Sequence, residues 1–198
     1  MPHVRVSKFL WLISLVALPL PLSFAQGAEG EIALSDESIQ LRYLRPDSES
    51  VISSEPSELG FGLFWNENRD FVVNAGYYLE ASELRFDRLT LLAGPIAYAA
   101  MLNVENTDVF SLALGAEARF ALLRRQEVDV VGRVAYAPDV LTFGSADKLW
   151  DVSGRVELPL TQNVIGFGGY RLLEIDLLEG RNELEESLHL GFRYQFSD

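Results

Sequence analysis

Along most of the chain every second residue is large and apolar, and the residues between are small or charged. In VFSLALGAEARFAL the even positions Phe110, Leu112, Leu114, Ala116, Ala118 and Phe120 are apolar, set against Ser111, Gly115, Glu117 and Arg119. QEVDVVGRVAYAPD sets Val128, Val130, Val134 and Tyr136 against Asp129 and Arg133, and LWDVSGRVELPL sets Trp150, Val152, Val156 and Leu158 against Asp151, Ser153, Arg155 and Glu157. SLHLGFRYQF repeats the rule with Leu188, Leu190, Phe192, Tyr194 and Phe196 against Ser187, His189, Arg193 and Gln195. A period of two marks strands whose two faces meet different surroundings.

ELGFGLFWN, DFVVNAGYYLE, RLTLLAGPIAYAAM and VIGFGGYRLLEI complete a set of eight strand candidates between residues 59 and 196. Residues 88–101 are apolar on both faces, but Gly94-Pro95 argues against a helix, where an interior proline costs about 3 kcal/mol. The glycines of 164–175 leave that strand's register open. The candidates run about ten to fourteen residues, whereas strands of soluble domains average about five or six. Long strands with one lipid-like face are what a transmembrane barrel needs, because closure pairs every backbone group and leaves no edge.

These features predict an all-β fold, an antiparallel up-and-down transmembrane barrel of about eight strands, with ten as the alternative. SIQLRYL (38–44) is the odd segment, followed by the polar, proline-bearing RPDSESVISSEPSE. Residues 26–57 are therefore expected to form an N-terminal extension, a plug or a first strand with an acidic loop, and 58–198 the barrel. Residues 177–185 and PDVLTFGSADK (138–148) read as long external loops, while LTQN (160–163) and RRQE with Arg124-Arg125 read as short periplasmic turns.

The first 25 residues add a compartment. A basic head with Arg5 and Lys8, an apolar run from Phe9 to Leu22 broken by Pro19 and Pro21, and Ser23-Phe24-Ala25 make a secretory signal peptide, with Gln26 as the mature start. The run is shorter than a membrane helix of about 20 residues.

The net charge is −13 over 198 residues, and removing the signal makes the chain more acidic still. Such a chain has no electrostatic footing on nucleic acid, whose phosphates demand cations. There is no cysteine, so disulfides, thiolate nucleophiles and thiolate metal sites are all excluded.

The run YAPDVLTFGSADKLWDVSGRVELPLTQNVIGFGGYRLLEIDL, residues 136–177, resembles the YfaZ family of Gram-negative outer-membrane proteins. The features that carry it are the strand-ending Tyr136-Ala137-Pro138-Asp139, the acidic-aromatic start of the next strand, Gly154-Arg155, and GGYRLL before an external acidic loop. The resemblance extends more loosely back to about residue 58. It implies a signal-bearing barrel of the cell outer membrane and supplies no catalytic motif.

Little in the sequence points to chemistry. His189 is the only histidine beyond the signal, which excludes a multi-histidine metal site. A lipid-modifying barrel enzyme would need Ser187 as nucleophile, His189 as base and Glu186 or Glu157 to orient it. Side chains at i and i+2 stand roughly 7 Å apart along a strand, too far for a direct hydrogen bond. They also face away from the lipid stripe. The acidic DLLEGRNELEES lacks the spaced oxygen ligands of a calcium loop. No catalytic, cofactor or metal residue is assigned.

The charges Glu117, Arg119, Asp129, Arg133, Asp151, Arg155, Glu157 and Arg193 should instead point inward and pair, giving a plugged interior; a narrow pore lined by the same residues is the alternative. Trp65, Tyr77, Tyr78, Trp150, Phe192, Tyr194 and Phe196 are candidates for interfacial girdles. A soluble lipocalin-like barrel would turn the apolar stripe inward and the charges out. The expected partners are outer-membrane lipids and, through the closing strand that ends at Phe196, the barrel-insertion machinery. The expected state is a monomer.

Overall fold

The computed structural model describes residues 27–47, 56–81, 88–103, 107–123, 127–177 and 180–196. The expected signal segment, Arg124, Arg125, most of the acidic insert, and Ser197 and Asp198 lie outside the described residues.

Ten antiparallel strands close into a barrel: β1 (Glu29–Leu34), β2 (Ser38–Pro46), β3 (Ser57–Asn66), β4 (Phe71–Glu80), β5 (Leu89–Leu102), β6 (Thr107–Leu123), β7 (Val128–Ala137), β9 (Ala146–Pro159), β10 (Val164–Leu177) and β11 (Gly180–Gln195). An eleventh, β8 (Thr142–Gly144), is a tab that continues the line of β7 along β6 after a single 3-10 turn, Asp139–Leu141. Each barrel strand pairs with the next, and β1 pairs with β11 from Glu29↔Gln195 to Leu34↔Leu190 to close the ring.

The count is therefore ten, the alternative, and not eight. The two additional strands, β1 and β2, come from residues assigned above to an extension, plug or first strand, and they form part of the wall. Of the segment read as a long loop at 177–185, residue 177 and residues 180–185 are strand. β10 runs to Leu177 and β11 starts at Gly180, with a register shift opposite Leu173 and Glu174 that fits one extra residue into β11.

Loop lengths follow a different rule from the expected one. At the end bearing the termini, connections span residues 47–56 and 81–88, whereas the opposite, far end has turns as short as 35–37 and 67–70. Length does not distinguish the two ends.

The faces sort as the alternation predicts. Leu188 and Leu190 are 76% and 72% exposed, and Phe192, Tyr194, Trp150, Val152, Val156, Leu158, Phe110, Leu112 and Leu114 also point out. Their neighbours Glu117, Asp151, Glu157, His189 and Arg193 are buried inside. The soluble arrangement, with charges outward, is the inverse of this. Outward aromatics gather at two levels: Trp65, Phe110, Phe143 and Trp150 towards the far end, Tyr43, Tyr77, Phe120 and Tyr194 towards the terminal end. Trp150 stacks on Tyr136 at 4.3 Å. Tyr78 is the exception among the expected girdle residues. It is buried, pointing inward under the Arg42 guanidinium at 5.9 Å.

Two glycines allow the wall to close tightly. The β4–β5 ladder lapses where Tyr77-Tyr78 face Gly94-Pro95, since Pro95 has no N–H to donate. There a Cβ on Gly94 would run into the Tyr77 carbonyl. At Gly191 a Cβ would meet both the Ile32 carbonyl across the closing seam and the Phe167 ring. Gly191→Val should destabilise the barrel by about 1–3 kcal/mol, the usual cost of overpacking. A shift of the urea midpoint for refolding into detergent micelles measures it, and an unchanged midpoint would contradict this account of the seam.

Candidate functional site

Among the described residues, polar chemistry concentrates in the lumen. Six arginines and six carboxylates form its ion pairs among the described residues. They fall into two groups, each balanced in charge.

The larger group lies towards the terminal end. Glu31 of β1 receives both forks of Arg155, at 3.0 and 2.7 Å, with Arg42 at 3.9 Å and Arg193 at 4.0 Å. Arg193 also reaches Glu157 at 2.6 Å and Glu29 at 3.4 Å. Arg155 bonds Glu157 at 2.8 Å, while Glu117 holds Arg42 at 3.0 Å and Arg119 at 3.5 Å. The smaller group sits at mid-height. Arg171 clasps Asp151 through two nitrogens at 3.0 Å and reaches Glu185 at 3.3 Å, and Arg133 approaches Asp151 at 3.7 Å. Tyr98 donates to Asp151 at 3.1 Å and Ser38 to Glu185 at 2.7 Å. The guanidinium faces are used as well: Arg155 lies 4.4 Å from the Phe167 ring centre and Arg171 5.1 Å from that of Phe64.

Above the arginines the lumen turns apolar. Phe64, Val72, Ile96, Tyr98, Ala100, Leu102, Val109, Leu149, Leu173, Ile175 and Leu184 pack into one buried cluster that spans the bore. A polar latch covers it at the far end. The Asn66 amide donates to Asp70 and to the Leu184 carbonyl, each at 3.0 Å, and Asp70 accepts the Asn103 N–H at 2.8 Å. A cavity of about 20 Å³ lies beside Arg42, Arg133, Arg155, Arg171 and His189, room for one water.

Of the inward charges expected from sequence, all but Asp129 join these pairs; Asp129 is half-buried near the terminal end and forms none of them. Sequence reasoning missed Glu29, Glu31, Arg42, Arg171 and Glu185. The first three sit on strands not counted in the barrel, Arg171 on the strand whose register was open, and Glu185 in a supposed loop.

The residues of the hypothetical hydrolase do not assemble. Ser187 donates to Glu185 at 3.0 Å, Glu186 points outward and accepts from Tyr170 at 2.8 Å, and Glu157 is held by arginines. His189 is buried with its ring edge against Phe167, and its Nδ1 makes no hydrogen bond.

A closed ten-stranded meander, apolar outside and ionic inside, inverts the polarity of a water-soluble domain and suits a bilayer. The chain is an outer-membrane-type β-barrel. No family model matches it, and no curated protein does, so the YfaZ resemblance rests on the residues quoted above. Among solved structures, the chain is similar to the outer membrane channel DcaP of Acinetobacter baumannii at 9% identity and a TM-score of 0.43, over 84% of this chain and 54% of that one. It is also similar to a bacterial polysaccharide outer membrane secretin at 10% identity and a TM-score of 0.49, over 86% of this chain and 69% of that one. The chain thus spans about half the length of the channel. Neither likeness bears on what the lumen does.

Breaking one buried pair leaves the partner charge stranded, whereas replacing both partners by apolar groups removes the desolvation penalty along with the attraction. Glu31→Gln should therefore cost about 3–5 kcal/mol. Arg171→Met combined with Asp151→Leu should cost clearly less than Arg171→Met alone. Equal losses in the single and double variants, read from urea unfolding in micelles, would refute the balanced-network account.

Proposed function

We propose that this protein is a monomeric barrel of the cell outer membrane with a structural role in the envelope, without catalysis and without an open pore. The observation that carries the reading is the apolar cluster across the bore between Phe64, Ile96, Leu149 and Leu173. Water and ions need polar partners along their path, and an apolar constriction stays dry. Beneath it six arginines pair with six carboxylates, and Glu58 and Asp129, which stand outside these pairs, lie at the terminal end and not across the apolar cluster. The YfaZ resemblance of residues 136–177 supports the same location and implies no activity.

The exterior supports a place among lipids. Aliphatic side chains face out between the two aromatic levels, where amphipathic rings favour the head-group layer. The closing strand supports contact with the insertion machinery. Phe196 packs against Tyr194 at 5.1 Å, and its N–H donates to the Ala28 carbonyl at 2.9 Å, extending the seam by one more residue.

Two experiments test the reading. Detergent-extracted protein should migrate anomalously on a gel until boiled and give no discrete steps in planar bilayers. Release by osmotic shock alone would overturn the membrane location, and regular conductance steps would make the protein a small pore. Phe196→Asn should slow assembly in the cell, while removal of Ser197 and Asp198 should leave the rate unchanged. The reverse order of effects would defeat the assigned role of Phe196.

A further inference from the structure

The outer wall is not convex all round. Between Phe192 on β11 and Phe110 on β6, the outward face of β1 to β5 forms a concavity of about 850 Å³. Its floor is built from small side chains, Ala75, Ala97 and Ala99, and Phe61 and Tyr43 continue the row of Ala75 and Ala97 across β3 and β2. The register accounts for the shape. Leu63, Val73 and Ala99 lie side by side on β3, β4 and β5, as do Phe61, Ala75 and Ala97, so three alanines fall together between the bulkier Phe61, Leu63 and Phe110.

One cation stands one outward position beyond Tyr43, the groove residue of β2 nearest the terminal end. Arg45 follows Tyr43 by two residues on β2, so it shares the outward face at the terminal end. It is exposed and makes no ion pair among the described residues. In a chain of net charge −13 whose lumenal arginines are matched to carboxylates, Arg45 is the exposed guanidinium that the β2 register brings next to the groove.

We propose that this groove is a phospholipid-binding site, with an acyl chain along the floor of Ala75, Ala97 and Ala99 and the phosphate on Arg45. The polarity profile is that of the ligand, apolar along its length and cationic at the end that meets the head-group layer. Arginine presents a planar fork suited to two phosphate oxygens. The alanine floor lets methylenes approach the backbone, which a wall of leucines prevents.

This assignment rests on the membrane reading above, and the test separates the two. The full-length barrel is reconstituted into vesicles of phosphatidylethanolamine and phosphatidylglycerol, extracted into mild detergent and weighed by native mass spectrometry, with heat-modifiable migration as the check of folding. The wild type should retain bound phospholipid. Ala97→Phe, which fills the floor, should abolish retention, and Arg45→Gln should lower it about fivefold, the factor equivalent to roughly 1 kcal/mol per basic residue at an anionic lipid surface. Val134→Phe, on the exposed face of β7 outside the groove, should retain the lipid as the wild type does. A folded, heat-modifiable barrel that carries no phospholipid, or that carries it equally in Ala97→Phe, overturns the site while leaving the membrane reading intact. So does a lipid-free dimer that Ala97→Phe dissociates, which would give the groove to a second copy.

Discussion

Everything in this molecule depends on neutralising charge inside a closed wall. A carboxylate or guanidinium in a lumen without bulk water is tolerated only when a partner replaces its hydration. The central case is Glu31, because it sits on a strand of six residues yet meets arginines from β2, β9 and β11. Arg155 is three strands away around the ring, so its two-pronged bond to Glu31 crosses the lumen and ties the first strand to the third last. The seam between β1 and β11 is thus held by its own backbone ladder and from within by Glu29 and Glu31, both within reach of Arg193 across it.

The same constraint divides the bore along its axis. Charges gather where the strands near the termini supply both signs, and apolar side chains gather where β3, β5, β9 and β10 present Phe64, Ile96, Leu149 and Leu173. Tyr98 joins the two regions, with its ring in the apolar cluster and its hydroxyl on Asp151. Ten strands enclose more width than eight, and long side chains take up the difference: guanidinium planes lie against Phe64, Tyr78 and Phe167 where aliphatic chains would leave voids.

The alternation that made β6, β7, β9 and β11 readable is the physical signature of a wall between lipid and a polar interior, which is why their faces came out correctly. β1 and β2 were harder for a related reason. EGEIALSDESIQLRYL offers Ile32, Leu34, Ile39, Leu41 and Tyr43 as bulky outward residues, split by an acidic turn, and the inward Glu31 reads as solvated until its partners are known. Arg171 was hidden by glycines that erase the contrast between faces, and Glu185 by a run of acids that resembles a loop although half of it lines the lumen. The apolar cluster was not legible at all, since Ile96 and Leu173 are hydrophobic on whichever side they fall. Only the three-dimensional register decides that they close the bore.

The strands differ greatly in length, six residues in β1 and seventeen in β6. At about 3.4 Å per residue these are walls of roughly 20 and 58 Å along the strand. An apolar band about 25 Å tall suits neither side of such a ring equally. A barrel with one low and one high wall meets a flat bilayer only by leaning, or by drawing the lipid thinner beside β1 to β4. The molecule is in that sense a wedge, and the membrane around it is asked to be thinner on one flank than on the other.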